Sequence, residues 1–451
     1  MQRNCLRRVV GTLCFLLLVL AAHAQKYTVT GGQGTPLLAL DDTKYKIQVY
    51  LVYGMENAEI RYTPQTGNCR WFKFKNKAVN GEEIPSFQEG TTSVIRNLED
   101  GCGYYVMESQ SIYESHYVWI IDYSKYAVNI TELHVDQQRS GCDGLYLTGS
   151  PQLSEMKYSN PETGYATVLN REFEATYQTM EKAQDGSMMV TKIVTETIND
   201  PFKDKIGPPY CDTDVTLSGD LFARHFGVEK VITTDVYQAV AVEAVMKIDT
   251  LSYASDIPNM VVKGDSLSAP VEFNFTAIAN VPVAAIFKWT VSQKNEGTES
   301  TKLMEQNGNR EEINYTFNQN GTYIVSLEVS DRTLQCTNIL PEVTINISDT
   351  YLEVPNAFSP GTTPGINDEF RVAYRSLNSF KCWIFNRWGA EIYHWTDPAQ
   401  GWDGKKGGKY VAPGVYFYVI EATGSDGKRL KRKGSINILR SKRIDDEIIE
   451  E

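Results

Sequence analysis

At 451 residues the chain is longer than one hydrophobic core usually organises, so three or four domains are expected. Its 42% hydrophobic and 11% aromatic content excludes a disordered chain, and a net charge of −12 speaks against a nucleic-acid binder. The weight of Tyr, Val, Ile and Thr favours strands over helices, and the expected fold class is all-β, with immunoglobulin-like β-sandwich domains in tandem.

Residues 1–24 read as a secretory signal. Arg3, Arg7 and Arg8 precede an apolar run over 9–20, and Ala22-His23-Ala24 offers a small-x-small cleavage site before Gln25. The run is too short to span a bilayer comfortably, and no later stretch is long and apolar enough to do so. An oxidising compartment then makes disulfides plausible for the cysteines beyond the leader. Cys69 with Cys102 and Cys142 with Cys211 are the expected pairs, because each falls inside one expected domain; the pairing of Cys336 and Cys382 stays open. None shows the close C-x-x-C spacing of a metal or redox site.

From 25 to 129 short apolar runs alternate with turns, as in a β-sandwich. Residues 45–54 and 117–123 read as strands, residues 57–74 as a hairpin turning at Thr66-Gly67-Asn68, and 100–103 as a second hairpin-like turn. From 130 to 256 the pattern is β-rich but less regular. Strands are expected at 173–177, 188–197 and 236–248, with one short helix over 218–226 capped by Ser218 or Asp220.

Between 257 and 348 the alternation is clean. Val271, Phe273, Phe275 and Ala277 share one strand face, and Tyr323, Val325, Leu327 and Val329 another. Phe273-Asn-Phe-Thr-Ala, Lys288-Trp289-Thr290-Val291 and Tyr315-Thr-Phe-Asn-Gln-Asn-Gly-Thr-Tyr323 together resemble a PKD domain, an immunoglobulin-like sandwich of surface proteins. After Trp289 the family's Asp-Phe-Gly-Asp-Gly turn is replaced by Thr-Val-Ser-Gln-Lys.

The stretch 349–440 carries a denser set of blocks. Pro355, Asn356 and Phe358 are followed by Asn367, Asp368 and Phe370, then by Asn386-Arg387-Trp388-Gly389. Trp402-Asp403-Gly404, Pro413-Gly414 with Tyr416, and finally Gly434 and Arg440 complete the series. In this order the blocks resemble the gliding-motility-associated C-terminal domain, the type B sorting domain of the type IX secretion system. The family's Asn-Gly-Asp-Gly is here Gly361-Thr-Thr-Pro-Gly365, one residue longer and without its carboxylate, and residues 441–451 add an acidic tail. The resemblance implies export across the outer membrane, the type IX machinery as partner, and a role in adhesion, gliding or surface assembly.

Motifs that would carry chemistry have plainer readings. Gly264-Asp265-Ser266-Leu267 spells a lipase nucleophile block, but it lies between two β-domains and no Asp-x-x-His answers it. His116, His134, His225 and His394 form no zinc frame, and the acidic stretch 195–204 lacks the spacing of a calcium loop. The basic run 428–433 reads as shielding of a strand edge before a polyanion patch. The expectation is therefore a non-enzymatic, cofactor-free surface protein, with surface polysaccharide or a host protein as further partners. The alternatives are a secreted hydrolase with its active site within 26–256, or a polysaccharide-binding module.

Overall fold

The computed structural model describes residues 27–65, 69–108, 115–251, 259–295, 297, 299–362 and 365–440. The leader, the 66–68 turn and the acidic tail lie outside the described residues. The chain divides into two compact units, one of residues up to 179 with 192–238, the other of 180–191 with 239 onward.

In the first unit a four-stranded sheet runs Tyr27–Thr30, Glu59–Tyr62, Thr92–Arg96, Phe87–Glu89. It packs on a six-stranded sheet ordered Leu37–Asp42, Ile47–Val52, Tyr117–Asp122, Cys102–Met107, Arg70–Phe74, Glu82–Ile84. Between them lies a core around Trp71, whose buried Nε1 donates to Ser93 Oγ at 2.9 Å. The central Ile47–Val52 and Tyr117–Asp122 strands pair in parallel and are apolar on both faces. Their second face explains why. It forms another core with Met156, Leu169, Phe222 and Ala223, contributed by the segment that follows residue 130.

The expected 57–74 hairpin is a crossover instead, since Glu59–Tyr62 and Arg70–Phe74 belong to different sheets. Likewise the 100–103 turn carries the chain from one sheet to the other. A turn signal between two strand-like runs looks the same in both cases; only the ladder partners distinguish them.

Residues 130–238 build a second layered region. Its sheet is ordered Met189–Ile198, Phe173–Lys182, Val215–Gly219, Lys230–Thr233, and a short pair, Glu132–Val135 with Leu147–Ser150, accompanies it. Leu145, Leu147, Phe173, Ala175, Val215 and Leu217 fill its core. The helix forms over Leu221–His225, and Asp220 caps it by accepting from Ala223 N at 2.8 Å. The strand expected over 236–248 begins only at Ala244, because Tyr237 is held by a bridge to Thr213.

Asp220 is wholly buried and has more than the cap to hold. One oxygen meets Arg171 Nε at 2.6 Å; the other accepts from Tyr123 Oη at 2.6 Å. The same guanidinium donates to the carbonyls of Tyr126 and Ser154. Burial and then the Asp220 charge push the Tyr123 hydroxyl well above its usual range, so it stays a donor. Such a closed network ties the residues after the first sandwich to the second region at one orientation.

The second unit contains a sandwich in which Ala244–Thr250, Val271–Ala279 and Glu312–Phe317 face Ser300–Gly308, Ile286–Lys294, Gly321–Ser330 and the Thr337–Ile339 and Val343–Ile347 strands. Both alternating sets read from sequence point inward, around a fully buried Trp289. Where the PKD turn would stand after Trp289, the Ile286–Lys294 strand simply continues. The C-terminal domain follows. Its main sheet is ordered Ala357–Phe358, Arg429–Ile438, Gly414–Gly424, Leu377–Phe385, Glu391–Trp395.

The expected disulfides are not the ones formed. Cys142 and Cys336 are disulfide-bonded, whereas Cys69, Cys102, Cys211 and Cys382 are free thiols. Cys69 and Cys102 flank opposite ends of the ladder that pairs Arg70 with Met107 and Phe74 with Gly103. That places them roughly 20 Å apart at about 3.3 Å per residue, beyond the reach of a bridge. Cys142 sits at the tip of a turn closed by Gly141 and Gly144, while the segment of Cys211 is held beside Thr179 through Tyr210 N. Burial pushes the Cys102 thiol up to about 11 and that of Cys382 further.

Two outcomes are expected. Alkylation of the native protein near pH 8, read by mass spectrometry, labels Cys69 and Cys211, spares Cys102 and Cys382 until unfolding, and reaches Cys142 and Cys336 only after reduction. Replacing Asp220 with Ala leaves Arg171 buried without its partner and costs about 3–5 kcal/mol. Hydrogen exchange should then accelerate around 117–126 and 215–223, while the C-terminal sheet keeps its protection.

Candidate functional site

The block residues of the C-terminal domain separate into a buried frame and a small exposed set. Trp402 is the centre of the frame: it is fully buried, its ring lies 5.6 Å from that of Phe358 and 5.7 Å from that of Tyr416, and its Nε1 donates to Lys405 O. Phe370, also fully buried, exchanges both backbone hydrogen bonds with Trp402. Asp403 fixes the next turn by accepting from Lys405 N, and Gly404 continues it with a positive φ. Tyr416 Oη donates to Ala412 O, which holds the chain across Pro413 and Gly414 as the Gly414–Gly424 strand begins.

Gly434 is required by a close approach. A Cβ there would lie 2.6 Å from Tyr418 Oη and 2.8 Å from Tyr418 Cζ, so the ring occupies the space a side chain would take. At the end of the sheet the Asn356 carbonyl accepts from Asn437 N, following partly buried Pro355 and joining Ala357–Phe358 to the last strand. Arg440 closes the described domain with its guanidinium 4.5 Å from the Tyr410 ring.

The altered Gly361–Gly365 loop finds its carboxylate elsewhere. Asp368 accepts from Gly361 N with one oxygen and from Gly365 N with the other. Asn367, in the left-handed region at φ 55°, returns its carbonyl to Ser359 N. The loop between them is thus anchored at both ends, although residues 363–364 lie outside the described residues.

Asn386-Arg387-Trp388-Gly389 makes a turn that faces outward. The Asn386 side-chain oxygen accepts from Trp388 N at 3.0 Å and Ala390 N at 2.9 Å, and Gly389 supplies φ 84°. Trp388 is 76% exposed, with the Arg387 guanidinium 4.5 Å above its ring. An indole this exposed gains little from packing, and the cation over its face holds it in place on the surface.

Beside this turn the main sheet leaves one face open. The open face carries Val415, Phe417 and Val419 from one strand and Trp383 and Phe385 from the next, with Val415 50% and Phe417 45% exposed. Sequence reading missed these residues. Over 415–422 both alternating sets are mainly apolar, and Glu421 alone marks the set that faces water. All of the basic run 428–433 except Lys428 lies within the Arg429–Ile438 strand. Ala357–Phe358 pairs only with its last two residues, so among the described strands the rest of that edge is unpaired. Its charges stand where an edge needs shielding.

The other motifs carry structure. Ser266 N closes a turn on Lys263 O, and Leu267 N pairs with Asn346 O, so the lipase-like block is a strap between domains. In the acidic stretch Asp204 accepts from Asn199 N and Asp200 N.

Compared with known families, residues 352–438 match the CHU_C type IX secretion signal domain and residues 134–234 match a fibronectin type III domain. No curated protein matches the chain. Among solved structures, a tetra-tandem repeat from the extending region of a large adhesion protein aligns at 12% identity over 87% of this chain and 99% of that one. Its TM-score is 0.19, which is too low to carry an argument. The C-terminal resemblance read from the blocks is the family that matches, and the less regular second region is the fibronectin-like one. The presence of this signal domain supports export by the type IX secretion system and a cell-surface or extracellular location. No helix among the described residues is long and apolar enough to cross a membrane.

Frame and exposed turn are expected to respond differently to mutation. Trp402→Ala should cost about 3–5 kcal/mol and unfold the C-terminal sheet, whereas Trp388→Ala should change stability by less than about 0.5 kcal/mol. Denaturant titration of the two variants checks both.

Proposed function

We propose that this protein is a non-enzymatic surface protein. Its C-terminal domain addresses it to the type IX machinery, and its upstream sandwiches serve adhesion, gliding or surface assembly. The observation that carries the reading is the division within the C-terminal domain: the signature residues build a rigid frame, and that frame holds Arg387 and Trp388 outward on a clamped turn. A secretion machine that must accept many cargoes needs a fixed feature that does not depend on the cargo, and a preorganised turn supplies one at little entropic cost. The leader fits this route as the signal for passage through the inner membrane.

Residues 257–348 act in this reading as a PKD-like spacer. Their sandwich is joined to the C-terminal domain by a strap in which Asn259 Nδ2 donates to Val372 O and Pro398 O. Support for a non-enzymatic role is the use made of the one catalytic-looking block, which is spent on that same strap.

The test is localisation in the native host by surface proteolysis and fractionation. Full-length protein is expected at the surface or in the medium, and a chain ending at Asp349 in the periplasm. Arg387→Ala with Trp388→Ala should also be retained there, although folded. Normal export of that folded double variant would remove the turn from the recognition surface. Normal export of the truncated chain would overturn the sorting role itself.

A further inference from the structure

Beyond the apolar part of the open face, the sheet carries a cationic groove that the export reading leaves unused. We infer that this groove, on the outer face of the C-terminal sheet, binds an acidic polysaccharide. It is a shallow depression of about 410 Å³ that crosses three strands. Ladder register sets its rows. Arg429, Thr423 and Ser379 stand side by side in one, Lys431, Glu421 and Lys381 in the next. The row after that brings Lys433 and Val419 beside Trp383.

The charge balance in the groove is cationic. Glu421 is its one carboxylate, and it is engaged by Lys431 at 2.8 Å, which holds its carboxyl below the usual range. Lys381, opposite Glu421 in the ladder, also helps to lower that carboxyl, and Arg429 and Lys433 add two further cations to the same face. Side chains on one strand face recur about every 7 Å, and strands two apart lie about 10 Å apart. The cations therefore form an extended array, suited to a polymer with repeated anionic groups rather than to a single small anion. This array sits on a chain whose net charge is −12, so it is a local feature and not a consequence of composition.

Two features select a glycan over an acidic protein segment. A protein strand would add at the edge of Arg429–Ile438 through main-chain hydrogen bonds, whereas the groove runs across the strands and is lined by side chains. The hydroxyls of Ser379 and Thr423 are neutral donors and acceptors suited to a hydroxyl-rich ligand, and the partly exposed Trp383 ring in the adjoining row offers an apolar face for a sugar. The site is separate from the Arg387–Trp388 turn, so this inference does not depend on how export proceeds.

The experiment uses purified protein from residue 25 onward and immobilised polygalacturonate, with dextran as the neutral polymer. Binding is expected to polygalacturonate alone and to weaken as salt rises. Lys381→Gln with Arg429→Gln should reduce affinity by about tenfold or more at an unchanged melting temperature. Arg432→Gln with Lys230→Gln removes the same charge elsewhere, since Arg432 pairs with Ile420 on the opposite face, and should leave affinity within about twofold. The inference is overturned if polygalacturonate does not bind, or if the second variant loses as much as the first. It is overturned in favour of an acidic protein partner if polyglutamate competes equally at matched charge.

Discussion

Each of three sandwiches buries an indole whose N–H is paired. Trp71, Trp289 and Trp402 are all fully buried, and each has its N–H satisfied: by Ser93 Oγ, Arg310 O and Lys405 O. Burying such a ring removes on the order of 200 Å² from water, but an unpaired N–H in the same place would give back about 1–3 kcal/mol. At these three positions the acceptor segment is delivered along with the ring, whereas the buried Nε1 atoms of Trp119 and Trp395 have no partner among the described residues. In the C-terminal domain this pairing shapes the Trp402–Lys405 turn, and through the paired backbone of Phe370 it fixes the start of the sheet. What remains outside that arrangement is available for recognition.

Legibility in the sequence followed the contrast between the two faces of a strand. Where one alternating set was apolar and the other polar, as at Val271 to Ala277 and Tyr323 to Val329, strand and inward face were both readable, and both sets are buried as expected. Where both sets were mainly apolar, as along Val415 to Ala422, Glu421 was the one residue that marked the open face. Long-range pairing left no local trace. The strands around residues 57–74 and 92–107 separate into different sheets, and the free Cys69 and Cys102 stand at opposite ends of one ladder. The capped helix at Leu221 was visible because its signal is local, but the second use of Asp220, gripping Arg171, was not. Of the candidate site, the block residues and their order were legible. The groove was not, because Lys381, Thr423 and Arg429 come together only through register.

The join between the last two domains is built in the same economical way. Ser376 is fully buried with φ 50°, and it accepts and donates in several directions at once. Its N–H donates to Ser268 Oγ, its hydroxyl donates to Ser348 O and accepts from Ala269 N, and its carbonyl accepts from Ser425 N. Asp349 adds ion pairs to Lys263 and Arg375 at the surface of the same join. The buried hydroxyls of Ser348 and Ser425 have no partner among the described residues, but the bonds made through Ser376 hold the strap, the preceding sandwich and the C-terminal sheet in one register. The signal domain is consequently presented on a braced base and not on a free string.

That bracing bears on what the family signature encodes. Most of its residues, among them Phe358, Phe370, Trp402 and Gly434, are consumed in packing or close approach, so their recurrence together marks a fold and not a list of contacts. A recognition surface has to be sought among the residues this frame holds outward, and two distinct surfaces emerge there. One is the Arg387–Trp388 turn, whose geometry is set by Asn386 and Gly389 from within the signature. The other is the row of cations on the open sheet face, which register and not local sequence brings together. The spatial separation of the two surfaces is what allows both to be engaged without conflict.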